Sequence, residues 1–265
     1  LVGSEMCIRD SRWVDGWPML GDKSGKVPLI GEVPLTTHDT GKRIVESDHF
    51  ESSKLKINWQ WNHNPINESW SLTERPGYLR LKTNRIVDNL YAAPNTITQR
   101  MEGPQCSGVV SIDISNMKDG DVAGFSAFNG HSGILSIVKE GNTKYLVMST
   151  NVVDLDDRSK AILGVEIEEK ERVELDDGIV YLRIDADFNL HKDIASFYYS
   201  LDNKEWKKIG AGFKMIFDYK KLFMGTKFAV FNYATKTEGG YVDVDFFEYK
   251  SCLLYTSPSP RDSTS

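Results

Sequence analysis

Tyr181-Leu182-Arg183-Ile184-Asp185-Ala186-Asp187-Phe188 decides the fold. In an extended chain Leu182, Ile184, Ala186 and Phe188 fall on one side, and Arg183, Asp185 and Asp187 on the other. That alternation describes a strand with one face on a core and one in water. The pattern recurs in Tyr241–Tyr249, where Val242, Val244 and Phe246 oppose Asp243 and Asp245. Further strand-like runs are Lys56–Trp61, Gly77–Lys82, Thr96–Arg100, Gly108–Ile114, Asp121–Phe128, Ser132–Lys139, Lys144–Ser149, Val165–Leu175, Ile179–Asp187, Ile194–Leu201 and Lys227–Tyr233. Turn signals separate them: Lys118-Asp119-Gly120-Asp121, Glu140-Gly141-Asn142, Asp176-Asp177-Gly178 and Leu201-Asp202-Asn203. One short helix is expected, near Phe213–Leu222. About a dozen short strands at regular spacing predict an all-β, two-sheet antiparallel sandwich of jelly-roll type.

Composition narrows the classes. The 265 residues carry a net charge of −6, with 40% hydrophobic, 11% aromatic and 26% charged residues. This excludes a mostly disordered or low-complexity chain. No apolar run reaches the ~20 residues of a membrane span. An acidic balance argues against nucleic acid as a partner, since such a partner calls for a basic face.

The two ends read differently from the rest. Met6-Cys7-Ile8-Arg9-Asp10 can be written as DNA whose reverse complement, in a shifted frame, encodes Leu254-Tyr255-Thr256. Residues 1–11 and 251–265 therefore resemble a translated sequencing adaptor, read in opposite directions. Leu1–Ser11 also lacks the 7–15-residue apolar core of a signal peptide. Setting both ends aside leaves Cys106 as the one remaining thiol, which allows no internal disulfide.

Arg12–Pro34 is rich in Gly, Pro and Trp, which mark tight turns between short strands. Trp13, Trp17 and Leu20 sit in a piece too short to bury them. The segment is either a strapped-down arm or the end of another domain. Thr36–Ser53 is polar and reads as the approach to a new domain. The expected division is a stub at 12–35 and a sandwich at 36–250.

Enzymatic signatures are missing. There is no phosphate-cradling Gly-Lys-Ser/Thr loop, no nucleophile elbow, and no thiol-enzyme motif around Cys106. His38, His49, His63, His131 and His191 form no ligand-spaced pair. Asp154, Asp156 and Asp157 read as a solvated loop. No catalytic residue is assigned.

The densest oddity is Trp59-Gln60-Trp61-Asn62-His63-Asn64-Pro65, followed by Trp70–Arg80. Trp59 and Trp61, two apart, share one face of a strand. Their rings are either core anchors of the inner sheet or a platform for sugar rings. His63 and Asn64 follow into a Pro-terminated turn, where they are candidates to face a ligand or an interface. Glu74 and Arg75 read as an ion pair, a weak stabiliser at a surface.

Five stretches carry a family resemblance: Trp59–Thr83, Asn95–Gly108, Met117–Phe128, Tyr198–Trp206 and Phe231–Phe247. In order and spacing they resemble the C-terminal, concanavalin A-like β-sandwich of glycoside hydrolase family 43, whose members are β-xylosidases and α-L-arabinofuranosidases. The likeness covers nearly all of Phe50–Tyr249. Val14–Pro28 is similar to the end of that family's β-propeller catalytic domain. The resemblance implies that the catalytic Asp base, Asp modulator and Glu acid of an inverting mechanism lie in a propeller upstream.

It implies further that the sandwich in some relatives lends a loop to the active-site pocket, for which Trp59–Pro65 and Asp121–Gly133 are candidates. Relatives often bind calcium, and Asp243 and Asp245 are the candidate ligands here; a solvated charged stripe is the competing account. The partners implied are the chain's own propeller and a xylo- or arabino-oligosaccharide, in an extracytoplasmic setting, secreted or periplasmic. Three roles follow: an accessory domain without activity of its own, an independent carbohydrate-binding module, or a clamp on the propeller. The last predicts an exposed apolar patch.

Overall fold

The computed structural model describes residues 12–14, 17–19, 44–217 and 223–251. The chain divides into two units, Leu1–Lys42 and Arg43–Ser265, seven residues beyond the expected division at 35/36. In the first unit, β1 (Arg12–Val14) and β2 (Trp17–Met19) pair antiparallel, with Arg12 opposite Met19. Short strands were expected in this segment, and the pair supplies two of them. The adaptor-like stretches Leu1–Ser11 and 252–265, and most of 12–35, lie outside the described residues.

The second unit is built of strands. In chain order they are β3 (Gln60–Trp61), β4 (Trp70–Ser71), β5 (Leu79–Lys82), β6 (Ile97–Arg100), β7 (Gln105–Asp113), β8 (Asp121–Phe128) and β9 (His131–Glu140). There follow β10 (Thr143–Leu155), β11 (Ile162–Leu175), β12 (Ile179–Asp187), β13 (Ile194–Ser200), β14 (Lys207–Lys208), β15 (Phe213–Lys214), β16 (Lys227–Ala234) and β17 (Tyr241–Ser251). Two antiparallel sheets result. One runs β11-β10-β9-β8-β16-β6-β3; the other runs β14-β13-β12-β7-β17-β5-β4, with β15 beside β13. This is the expected all-β, concanavalin A-like sandwich.

The core lies between the sheets. On β12, Leu182 and Ile184 are fully buried and Ala186 nearly so, while Arg183, Asp185 and Asp187 face out. From the facing sheet come Phe125, Leu135, Ile137 and Phe228. A second apolar cluster forms on the outer face of the seven-stranded sheet. There Leu90 and Tyr91, in a strap that covers that face, pack with Val122, Phe128, Phe231 and Tyr233.

The last strand departs from simple alternation. Its register shifts between Val244 and Phe246, a bulge that inserts one residue and reverses the faces beyond it. Phe247, not Phe246, is therefore fully buried. Phe246 turns outward beside His49 and Tyr181, at ring separations of 5.9 and 6.2 Å. The helix expected over Phe213–Leu222 is absent among the described residues. Phe213–Lys214 pairs with Ile194 and Ala195 instead, and Met215 is buried, so the period there is two. Residues 218–222 lie outside the described residues.

Asp121, at the start of β8, is fully buried, and its Oδ2 accepts from the Lys118 backbone N–H at 2.7 Å. A Cβ at residue 240 would lie 1.7 Å from that oxygen, so only glycine fits there. Burial pushes the Asp121 carboxyl up from its ordinary range. The folded state thus holds the proton more tightly than the unfolded chain, and stability is lost as pH rises through the folded value. Asp121→Asn keeps the acceptor and removes the charge. The variant is expected to be more stable than the native chain near neutral pH, by a margin that shrinks as pH falls toward 3. Urea titrations across that range check it; a margin independent of pH would contradict it.

Candidate functional site

Trp59 and Trp61 both turn inward, but to different ends. The Trp59 indole is 6% exposed, between Phe50 and Phe247, with ring separations of 5.9 and 5.2 Å. Its Nε1–H donates to Asp48 Oδ2 at 2.9 Å. Asp48, itself buried, also accepts from the Phe50 backbone N–H and makes backbone hydrogen bonds with Phe247 in both directions. The ring thus anchors the arm before β3 to the last strand, and it offers no open face to a sugar.

Trp61 is half-buried on β3, the terminal strand of the seven-stranded sheet. Its partner is Trp70 on β4, the terminal strand of the other sheet, with ring centroids 5.2 Å apart. The two indoles meet where the sheets would otherwise gape, and both pack on the core. Of the two readings of this pair, core anchoring is the one the contacts describe.

His63 and Asn64 are exposed and line a cleft of about 640 Å³. Its walls come from three distant segments: the 62–66 turn, the strap with Arg85 and Tyr91, and the β10–β11 tip with Lys160 and Ile162. His63 Nε2 lies 2.7 Å from the Tyr91 carbonyl oxygen, which fixes the turn against the strap. At the tip, Asp156 accepts from the backbone N–H groups of Arg158 and Ser159 and from the Ser159 hydroxyl. Asp154 lies within β10, so the three aspartates do not form one loop. The cleft brings cationic and amide side chains together, and among the described residues no carboxylate lines it, so these supply no general acid/base pair of carboxyls.

Asp243 and Asp245 separate at the bulge. Asp243 is 1% exposed. Arg80 donates to it twice, Nε to Oδ1 at 2.7 Å and Nη2 to Oδ2 at 2.8 Å. Arg75 Nη1 donates to Asp243 Oδ2 at 3.0 Å and to Asp113 Oδ2 at 2.7 Å. Each guanidinium also sits over a ring, Arg75 over Tyr78 at 3.8 Å and Arg80 over Tyr241 at 4.2 Å. Burial alone would push the Asp113 carboxyl up, but hydrogen bonds from Arg75 and Ser115 outweigh it and hold the group below its ordinary range.

A calcium ion calls for about six to eight oxygen ligands. Asp243 supplies a carboxylate already engaged by two cations, and among the described residues no three His, Cys, Asp or Glu side chains converge. These residues do not fit a cation; Asp243 is the centre of an ion-pair network. Glu74 and Arg75 do not pair with each other. Glu74 accepts from Lys82 and Arg80, with the Lys82 hydrogen bond the largest influence holding its carboxyl low.

Two aromatic side chains escaped the sequence reading. Phe217 and Phe223 are 55% and 74% exposed, and their rings pack edge to face at 5.6 Å. Ile216, beside them, is 43% exposed. Buried Asn129, at the tip of the β8–β9 hairpin, holds both flanks: its Nδ2 donates to Met224 O at 2.8 Å and to Ile216 O at 3.5 Å. The Asp121–Gly133 candidate loop is therefore a strand hairpin that supports an apolar patch. Two phenylalanines flanking the polar run Asp218–Lys221 were the available signal.

Comparison with known proteins places this architecture. The chain is 31% identical over 280 residues to a β-xylosidase of Formosa agariphila, matching 93% of its own length and 43% of that protein's. It is 40% identical, with a TM-score of 0.76, to the structure of a bifunctional GH43-CE protein of Bacteroides eggerthii, covering 92% of this chain and 30% of that one. A GH43 glycoside hydrolase engineered to display endo-xylanase and exo-arabinofuranosidase activity is 30% identical, with a TM-score of 0.78. That match covers 91% of this chain and 48% of the enzyme. The chain thus spans less than half the length of these relatives. A family profile, the β-xylosidase C-terminal concanavalin A-like domain, matches residues 47–250. With two antiparallel sheets, an aromatic core and this match over most of its length, the chain belongs to the family of β-xylosidase C-terminal concanavalin A-like domains.

Proposed function

We propose that this chain is the accessory C-terminal domain of a glycoside hydrolase acting on xylan-derived β-xylosides or α-L-arabinofuranosides. The observation that carries the reading is the family match over residues 47–250. The partner is the protein's own β-propeller, which supplies the catalytic carboxylates and inverts configuration at the sugar. A polymeric plant substrate points to an extracytoplasmic setting, secreted or periplasmic.

The apolar patch at Ile216, Phe217 and Phe223 supports a docking role. Large exposed apolar side chains in contact with one another mark an interaction surface more often than isolated ones do. Asn129 hydrogen-bonds the backbone at Ile216 and Met224, on either side of the patch. An independent carbohydrate-binding module is the alternative. Its sequence support was Trp59 and Trp61, whose rings turn toward the core.

Purified residues 12–250 are expected to release no sugar from aryl β-xylosides or aryl α-L-arabinofuranosides. Sustained turnover that co-purifies with the chain would overturn the accessory reading.

A further inference from the structure

The outer face of the eight-stranded sheet carries a groove of about 540 Å³, within the ~300–1,000 Å³ range of small-ligand sites. Its described lining residues come from β17, β7, β12 and β13 and from the turn after β12. Strand register explains how they meet. Lys250 pairs with Ser107, Ser107 with Asp185, and Asp185 with Ser196, so their side chains form one row across four strands. At ~4.8 Å per strand spacing the row is about 14 Å long. Tyr198 stands beside it, two residues along β13 from Ser196, with the Arg183 guanidinium over its ring at 4.2 Å.

This row is reachable from water. The Asp185 side chain is 38% exposed, and Lys250 is exposed. The polar groups also have capacity to spare. Asp185 Oδ1 accepts from the Ser107 hydroxyl at 2.6 Å and faces Arg183 Nε at 3.4 Å, while Oδ2 has no hydrogen-bond partner among the described residues. The Lys250 ammonium and the Ser196 and Tyr198 hydroxyls have none among them either. The row therefore offers an acceptor-only carboxylate and a donor-only ammonium, with hydroxyls of either role between and beside them.

Charge decides the class of ligand. Asp187 pairs with Lys192 at 3.0 Å, and Asp185 and Lys250 are of opposite sign, so the lining side chains sum to no net charge. Burial pushes the Cys106 thiol up to about 11, so it adds none near neutral pH. Such a groove favours no ion of either sign, and an apolar ligand would strip its charged groups of water without replacing it. A neutral ligand rich in hydroxyls meets both conditions, because a hydroxyl can donate to the carboxylate and accept from the ammonium.

We propose that this groove binds a neutral oligosaccharide laid across the strands, with one hydroxyl donating to Asp185 Oδ2 and another accepting from Lys250 Nζ. The inference rests on the proposed function only for the identity of the sugar, a xylan-type chain. None of the groove residues belongs to the Phe217–Phe223 patch.

The test is a two-dimensional NMR titration of the full chain with xylotetraose, cellotetraose and laminaritetraose, each to about 20 mM, well above a millimolar dissociation constant. Xylotetraose is expected to shift the amides of Ser107, Asp185, Ser196 and Lys250 saturably. Asp185→Ala and Lys250→Ala are each expected to weaken binding by about tenfold, the loss of one hydrogen bond to a charged group. Lys250 is exposed, so its variant keeps the test open should Asp185→Ala fail to fold. Absence of saturable shifts at these amides with all three sugars would overturn the proposal and leave the accessory reading standing. Undiminished binding by folded Lys250→Ala would overturn it too. So would shifts of the same amides on raising the protein concentration alone, which would place a second copy of the chain in the groove. Binding of cellotetraose or laminaritetraose but not xylotetraose would uphold the groove and count against a xylan-derived substrate.

Discussion

Asp243→Ala is expected to destabilise the sandwich by about 3–5 kcal/mol, the range for breaking a buried ion pair by removing one partner. The loss comes less from the missing attraction than from what remains. Arg80 and Arg75 each keep a guanidinium committed to this spot by a ring beneath it, with their acceptor gone. Arg75 retains Asp113, whereas Arg80 retains only Glu74 at 3.3 Å. The arginines belong to β5 and the loop before it, and Asp243 to the adjacent β17, so the network ties that loop onto the sheet. Equilibrium denaturation in urea measures the effect. Were Asp243 a solvated stripe residue, the change would stay within about 0.5 kcal/mol. An Asp243→Ala, Arg80→Ala double-mutant cycle should show strong coupling, because the two groups share hydrogen bonds.

Trp59→Ala is expected to cost about 3–5 kcal/mol through the cavity left among Phe50, Phe247 and the arm that carries Asp48. Trp59→Phe separates packing from hydrogen bonding. It refills most of the volume but leaves Asp48 Oδ2 without its indole donor, so a smaller loss is expected. Trp61→Ala should cost less than Trp59→Ala, because Trp61 is half-buried at the sheet ends. Unfolding followed by far-ultraviolet circular dichroism checks all three. A Trp59→Ala chain with native stability would contradict the core assignment and return the ring to the surface.

Much of the fold was legible because alternation is a local property. Asp121–Phe128 and Ile179–Asp187 appear as strands with the bounds the pattern gives them. The errors arose where a non-local event intervened. The bulge after Val244 depends on pairing with β7, and it moved Phe247 into the place assigned to Phe246. The run after Phe213 has apolar residues at helix-compatible spacing, yet its pairing with β13 made it a strand.

The candidate site was less legible for the same reason. Local sequence placed His63 and Asn64 in a turn, but the strap and hairpin tip that complete their cleft are far away in the chain. Asp243 looked like one of a pair of free carboxylates, because nothing near it in sequence announces Arg75 and Arg80.

The central claim is that this domain docks on, and acts with, a catalytic domain. Calorimetry on a fusion tests it most directly: the catalytic domain of the Formosa agariphila β-xylosidase joined to this chain in place of its own C-terminal part. The account predicts one cooperative transition, which splits in two when Phe217 and Phe223 are replaced by Asp. Two independent transitions in the unsubstituted fusion, one matching the isolated catalytic domain and one matching this chain, would contradict it.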